Sequence, residues 1–177
     1  MDDQKKSYDP AHRKIMLGKE EGRRFKKLGD MGEAVAPVLL EEAGFNNIMN
    51  LNNQKMNFLF ADFYAEKDGD KYLISVKTRN KYENSGNLNT RYKLGRKLYH
   101  NIETVLGQDD YKDCIPAWMA IAMDDSTFDA YFGTVGDLEG GFGIPMSKRA
   151  CEKHLCLARN RIHDFDPGVF KNIYRKR

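Results

Sequence analysis

The chain reads as a single α/β domain with a central mixed β-sheet flanked by helices. Three observations point there. Runs rich in aromatic and β-branched residues alternate with segments of helical periodicity. Two of those runs, residues 57–66 (NFLFADFYAE) and 71–79 (KYLISVKTR), flank Asp68-Gly69, the strongest short-range hairpin signal. Residues 116–123 are almost uniformly apolar, as expected of a central strand buried on both faces. A length of 177 residues, 41% hydrophobic and 31% charged, suits one domain with a proper core.

Taken in order, residues 1–18 form a polar basic arm, 19–160 the α/β domain and 161–177 a basic tail that packs on it or extends from it. Within the domain, residues 19–27 and 31–43 each have helical character. Asp30 with Glu33 makes an acidic variant of a capping box, and Gly44 supplies the stop. Pro37 lies inside the second segment, which implies a kink or a late helix start. Val35, Val38, Leu39 and Ala43 are its expected buried stripe. A short strand at 46–51 precedes the hairpin, and an Asn/Gly/Ser-rich loop at 80–92 follows it. Leu94, Leu98, Ile102, Val105 and Leu106 recur at helical spacing, predicting a helix over 94–106. After the apolar strand come a strand at 128–135 and a helix from Ser147, its N-cap, to Arg159.

Several function classes are excluded. The longest apolar run, residues 117–123, is far short of the 18 or so needed to span a bilayer. The opening MDDQKKSYDP lacks the apolar stretch of a secretory signal. Cys114, Cys151 and Cys156 form neither a CxxC pair nor an even framework, which favours a reducing cytoplasm. Cys151, His154 and Cys156 cluster, but no fourth ligand stands at zinc spacing. GDLEGGFG lacks the pattern of a phosphate-binding loop. Trp118, in the apolar strand, reads as core.

A net charge of only +3 hides strong segregation. Residues 71–100 carry eight Lys/Arg against Glu83 alone, whereas 101–145 carry nine acids against Lys112. Basic blocks beside acidic ones suit a protein that holds phosphates with cations and a metal with carboxylates. Four tyrosines, Tyr72, Tyr82, Tyr92 and Tyr99, interleave the basic block, as in nucleic-acid binders.

The hairpin supplies the chemistry. Symmetric closure about Asp68-Gly69 pairs Lys67 with Asp70 and Asp62 with Ser75. Because side chains alternate, Ser75 and Lys77 then share a face with Asp62. Asp62 sits among Leu59, Phe60, Ala61 and Phe63, where a carboxylate needs a partner. An Asp62–Lys77 ion pair would account for this much.

The succession LGDMGE, FADF, YLISVKTR, then helix and apolar strand, resembles the PD-(D/E)xK nuclease superfamily, which includes restriction endonucleases and Holliday-junction resolvases. The resemblance spans about residues 28–123 and implies a restriction endonuclease-like fold. It implies an Mg²⁺-dependent (or Mn²⁺-dependent) endonuclease acting on DNA, as a homodimer. By that resemblance Glu33 is the helix acid, Asp62 the metal-binding aspartate and Lys77 the catalytic lysine, with the Val76 carbonyl as a further metal ligand. Arg79, Arg91, Lys93, Arg96 and Lys97 would hold the DNA backbone.

One position departs from the pattern. Ser75 stands where the family has its second acid, and serine is a poor ligand for a hard cation. Three alternatives follow. The acid has moved to Glu103 or to Glu83; Ser75 holds a water while Asp62, Glu33 and Val76 suffice; or the protein keeps the fold and only binds nucleic acid or regulates.

Overall fold

The computed structural model describes residues 10–53 and 58–164, with side chains from Lys26 onward. Helix α1 (Pro10–Glu42) is followed by β1 (Asn46–Asn50), β2 (Phe63–Lys67), β3 (Asp70–Asn80) and β4 (Arg91–Lys93). Then come α2 (Leu98–Leu106), β5 (Ile115–Met123), β6 (Thr127–Thr134), β7 (Gly143–Pro145), the single-turn α3 (Lys148–Cys151) and β8 (Leu155–Ile162). Six strands form one mixed sheet in the order β1-β2-β3-β5-β6-β8. All neighbours are antiparallel except β3 and β5, which run parallel and are joined through α2. Strands β4 and β7 pair as a separate two-stranded ribbon. The expected single α/β domain with a mixed central sheet is what the chain forms.

Alternation along β5 explains why this strand is central. Ala117, Met119, Ile121 and Met123 face α1, where Leu28, Leu39, Leu40, Phe63 and Ile74 complete one core. Trp118, Ala120 and Ala122 face the other way, against Leu98 and Ile102 of α2 and Tyr92 and Ile144 of the ribbon. Each large apolar side chain so buried contributes roughly 1.5–3 kcal/mol. Trp118 satisfies its indole N–H on the Thr134 carbonyl at 2.9 Å. Helices therefore cover both faces.

The hairpin closes in the expected register. Lys67 pairs with Asp70, Glu66 with Lys71, Ala65 with Tyr72, Tyr64 with Leu73 and Phe63 with Ile74. Asp68 and Gly69 take φ of 54° and 90°, the left-handed pair that a tight hairpin turn requires.

Elsewhere local pattern and structure part. One continuous helix replaces the two expected at 19–27 and 31–43, and it already includes residues 10–18, assigned above to the arm. Asp30 is thus a mid-helix residue rather than a cap, and α1 passes through Pro37. Gly44, at φ 85°, ends it as expected. The buried stripe is Leu28, Gly32, Ala36, Leu39 and Leu40, while Val38 is exposed. Strand β2 begins at Phe63, because Phe60 turns the chain at φ 70° with the Ala61 N–H bonded to the Leu59 carbonyl at 2.9 Å. Helix α2 starts at Leu98, since Gly95 at φ 107° breaks the segment and residues 91–93 pair with β7. Ser147 does cap a helix, accepting the Ala150 N–H, but that helix ends at Cys151. Residues 155–162 instead pair with β6, whose free edge they cover, so the domain reaches past residue 160. Residues 1–9 and 165–177 lie outside the described residues.

Candidate functional site

Asp62 is fixed by its backbone and its carboxylate together. Its N–H donates to the Ile74 carbonyl and its own carbonyl accepts from Leu51 N–H, both at 2.9 Å. The ladder stops at Phe63–Ile74, one step short of the expected Asp62–Ser75 pair. In place of a further rung, the Asp62 carboxylate accepts the Val76 N–H at 2.7 Å. A strand residue presents its N–H and C=O on the same edge. The Val76 carbonyl therefore faces the edge that β2 has vacated. Ser75 and Lys77 share one face of β3, with Ser75 fully buried and Lys77 half-buried, and the charges of Lys77 and Asp62 bear on each other.

Glu33 arrives from α1. Gly32, one residue before it, packs on Thr78, one residue after Lys77. A Cβ on Gly32 would lie 1.7 Å from Thr78 Oγ1, so only glycine permits this approach. The close crossing sets Glu33 beside the ends of β2 and β3.

The charges are mutually dependent. Burial, then the Asp62 and Asp30 charges, push the Glu33 carboxyl up, and Lys77 pulls it back. Burial also raises the Asp62 carboxyl, against the lowering effects of Lys77, the Val76 N–H and the Asn52 amide. Burial pulls the Lys77 ammonium down; Asp62 opposes this, Arg79 reinforces it and Glu33 opposes it. Two acids that resist ionisation beside a lysine that resists protonation form a strained cluster of the kind found at functional sites. The left-handed turn at Phe60, two residues before Asp62, adds backbone strain.

The chain matches no protein-family model, no curated protein and no solved structure. The site therefore rests on its own geometry.

Among the sequence-derived residues, the structure gathers Glu33, Asp62, Ser75, Val76, Lys77 and Arg79. It does not gather Glu103. The buried stripe of α2 is Leu98, Ile102 and Val105, and Glu103, about 100° further round, is exposed. Glu83 is exposed in the loop after β3. Among the described residues no third Asp, Glu, His or Cys joins Glu33 and Asp62 in a metal-sized group. Glu103 and Glu83 are therefore left out of the ligand set considered below. Arg91 and Lys93 project from β4, which buries Tyr92 between them, and Arg96 and Lys97 follow in the turn before α2. All four are exposed and outside the ion pairs of the described residues. Sequence reasoning missed Asn52, whose amide supports Asp62, and the Gly32–Thr78 contact. Only the NLNN and GDMGE stretches hinted at them.

The Glu33 and Asp62 carboxyls, once ionised, and the Val76 carbonyl would offer hard oxygen donors. Mg²⁺ is commonly held by one or two carboxylates with waters completing the octahedron, so this set fits it. A cation between Glu33 and Asp62 would also relieve their repulsion.

Proposed function

We propose that the protein is a metal-dependent endonuclease that hydrolyses DNA phosphodiester bonds, with the fold and site plan of the PD-(D/E)xK nucleases. The observation that supports it most is that the charges of Asp62, just before β2, Glu33, on α1, and Lys77, on β3, bear on one another. Asp62, Glu33 and the Val76 carbonyl would hold Mg²⁺ or Mn²⁺. The ion, when bound, supplies Lewis-acid polarisation of the phosphate and a more acidic water. Lys77 does the rest of the local work. Its ammonium, favoured by the nearby Asp62 charge, orients the attacking water and offsets charge that develops on the phosphate in the transition state. Arg79, which donates to the Thr78 carbonyl at 2.7 Å, stands beside Lys77 to contact the neighbouring phosphate. Arg91, Lys93, Arg96 and Lys97 extend the cationic surface. A homodimer would present two such sites to two strands.

Ser75 favours a second reading, in which the fold binds nucleic acid or regulates without cutting. A plasmid-nicking assay with Mg²⁺ or Mn²⁺ separates the two. The enzyme reading requires nicking that EDTA stops and that Asp62→Ala and Lys77→Ala each abolish. DNA binding without nicking would leave only the second reading.

A further inference from the structure

The sheet carries a second feature on the face that bears Lys77. Across β3, β5 and β6 the register sets Lys77 beside Ala120 and Tyr131, and Arg79 beside Ala122 and Asp129. Paired residues share a face, so these two rows run from the candidate site straight into a pocket of about 560 Å³. Two strand spacings place the pocket roughly 10 Å from Lys77. That is about three base steps along a nucleic-acid strand.

Its composition suits a flat heteroaromatic ring. The small Ala122 leaves the floor open, the buried Tyr92 and Tyr131 line it, and Tyr82 is the half-buried ring at its edge. A fixed hydrogen-bonding pair stands in the wall: Lys81 Nζ and Asp129 Oδ2 are 2.8 Å apart, and Asp129 Oδ1 accepts the Asn160 N–H at 2.7 Å. Asp129 is only 7% exposed, so the pocket has a rigid charged donor–acceptor edge. The volume lies within the usual range for ligand pockets. Arg79 bridges the two regions, its charge bearing on both Lys77 and the phenol of Tyr92.

We propose that this pocket receives one unstacked nucleobase of the nucleic acid whose phosphate lies at Asp62 and Lys77. The inference rests on the nuclease-fold reading above. The Tyr82 ring would stack on the base, and the Lys81–Asp129 pair would meet its polar edge. A duplex would have to give up one base pair to fill it, so single-stranded or unpaired positions should bind best.

Cys151 lines the pocket and reports on it. In a Cys156→Ser chain it is the accessible thiol, because Cys114 is buried. Burial pushes the Cys151 thiol up, so alkylation by iodoacetamide is best followed at alkaline pH, with EDTA present to prevent cleavage. The probes are a mixed-sequence single-stranded oligonucleotide and its abasic counterpart, with binding measured in parallel by anisotropy. At about ten times the measured Kd the oligonucleotide should slow alkylation about tenfold. The abasic strand should bind and leave the rate unchanged. Binding of the oligonucleotide without protection overturns the base pocket and leaves the nuclease reading standing. Equal protection by the abasic strand overturns it too, because the backbone then fills the pocket. No binding of either strand overturns the nucleic-acid reading, and the pocket falls with it.

Discussion

At Glu33, Asp62 and Lys77 the fold holds three charges where solvation is poor, and the signs of their shifts make opposite demands on pH. Glu33 and Asp62 are raised, so each ionises later than a free carboxyl as pH increases. Lys77 is lowered and gives up its proton earlier than a free lysine. Metal-dependent nicking should therefore climb as the carboxyls ionise and decline on the alkaline side as Lys77 neutralises. Lys77→Arg, whose guanidinium stays charged, should remove the alkaline decline in whatever activity it retains. Stability runs the other way for the acids. A raised folded-state pKa means that the native state binds more protons, so stability falls as pH rises from the unfolded value, near 4.5 for Glu33, through the folded one. Glu33→Gln should raise Tm at neutral pH by roughly 1–3 °C and lose that advantage below pH 4.5. Thermal scans across pH check it. Ser75→Glu would restore a second acid on the Lys77 face. It should tighten Mn²⁺ binding in calorimetry, and an unchanged affinity would deny the site its metal.

Among the elements, the α1–β3 crossing is where one substitution should matter most. The space at Gly32 belongs to Thr78, so Gly32→Ala must force helix and strand apart. We expect a loss of about 1–3 kcal/mol in denaturant unfolding. Thr78→Ala clears the Oγ1 atom that blocks the new methyl group, so the double variant should recover part of it, a coupling that a double-mutant cycle reads directly. The hairpin and β5 were legible in the sequence because their signals are local: an Asp-Gly turn fixes a register, and an apolar run marks a buried strand. Strand β8 was not. Residues 150–158 mimic a helical period, and the pull that overrides it is the open edge of β6, more than twenty residues upstream. The alternation of β8 is further hidden by register shifts opposite Phe128, Ala130 and Tyr131, with Asn160 at φ 48°. Asp62 and Lys77 could be placed together from turn arithmetic. Glu33 came from resemblance alone, because nothing in a helix's own sequence says which strand it crosses.

For the molecule as a whole, the cations of residues 71–100 divide between the candidate site and the β4 ribbon. Arg79 lies beside Lys77, while Arg91, Lys93, Arg96 and Lys97 stand exposed along β4 and the turn after it. If these hold phosphates, affinity for DNA should fall by about 0.9 log units per log unit of salt for each contact. Arg91→Ala or Lys97→Ala should weaken every sequence alike and flatten that slope by about one contact. Among the described residues no helix is long and apolar enough to cross a membrane. Glu42 of α1 pairs with Arg161 of β8, so the first and last described elements close the same edge of the domain.

That Asp62 and Glu33 together hold a divalent cation beside Lys77 can be tested without DNA. Mn²⁺ is titrated calorimetrically into the full chain and into Asp62→Asn, Glu33→Gln and Lys77→Met. The wild type should bind, Asp62→Asn should not, Glu33→Gln should bind at least about tenfold more weakly, and Lys77→Met should bind as well or better because a neighbouring positive charge is gone. Equal Mn²⁺ affinity in wild type and Asp62→Asn, or no binding by the wild type at millimolar ion, would contradict it.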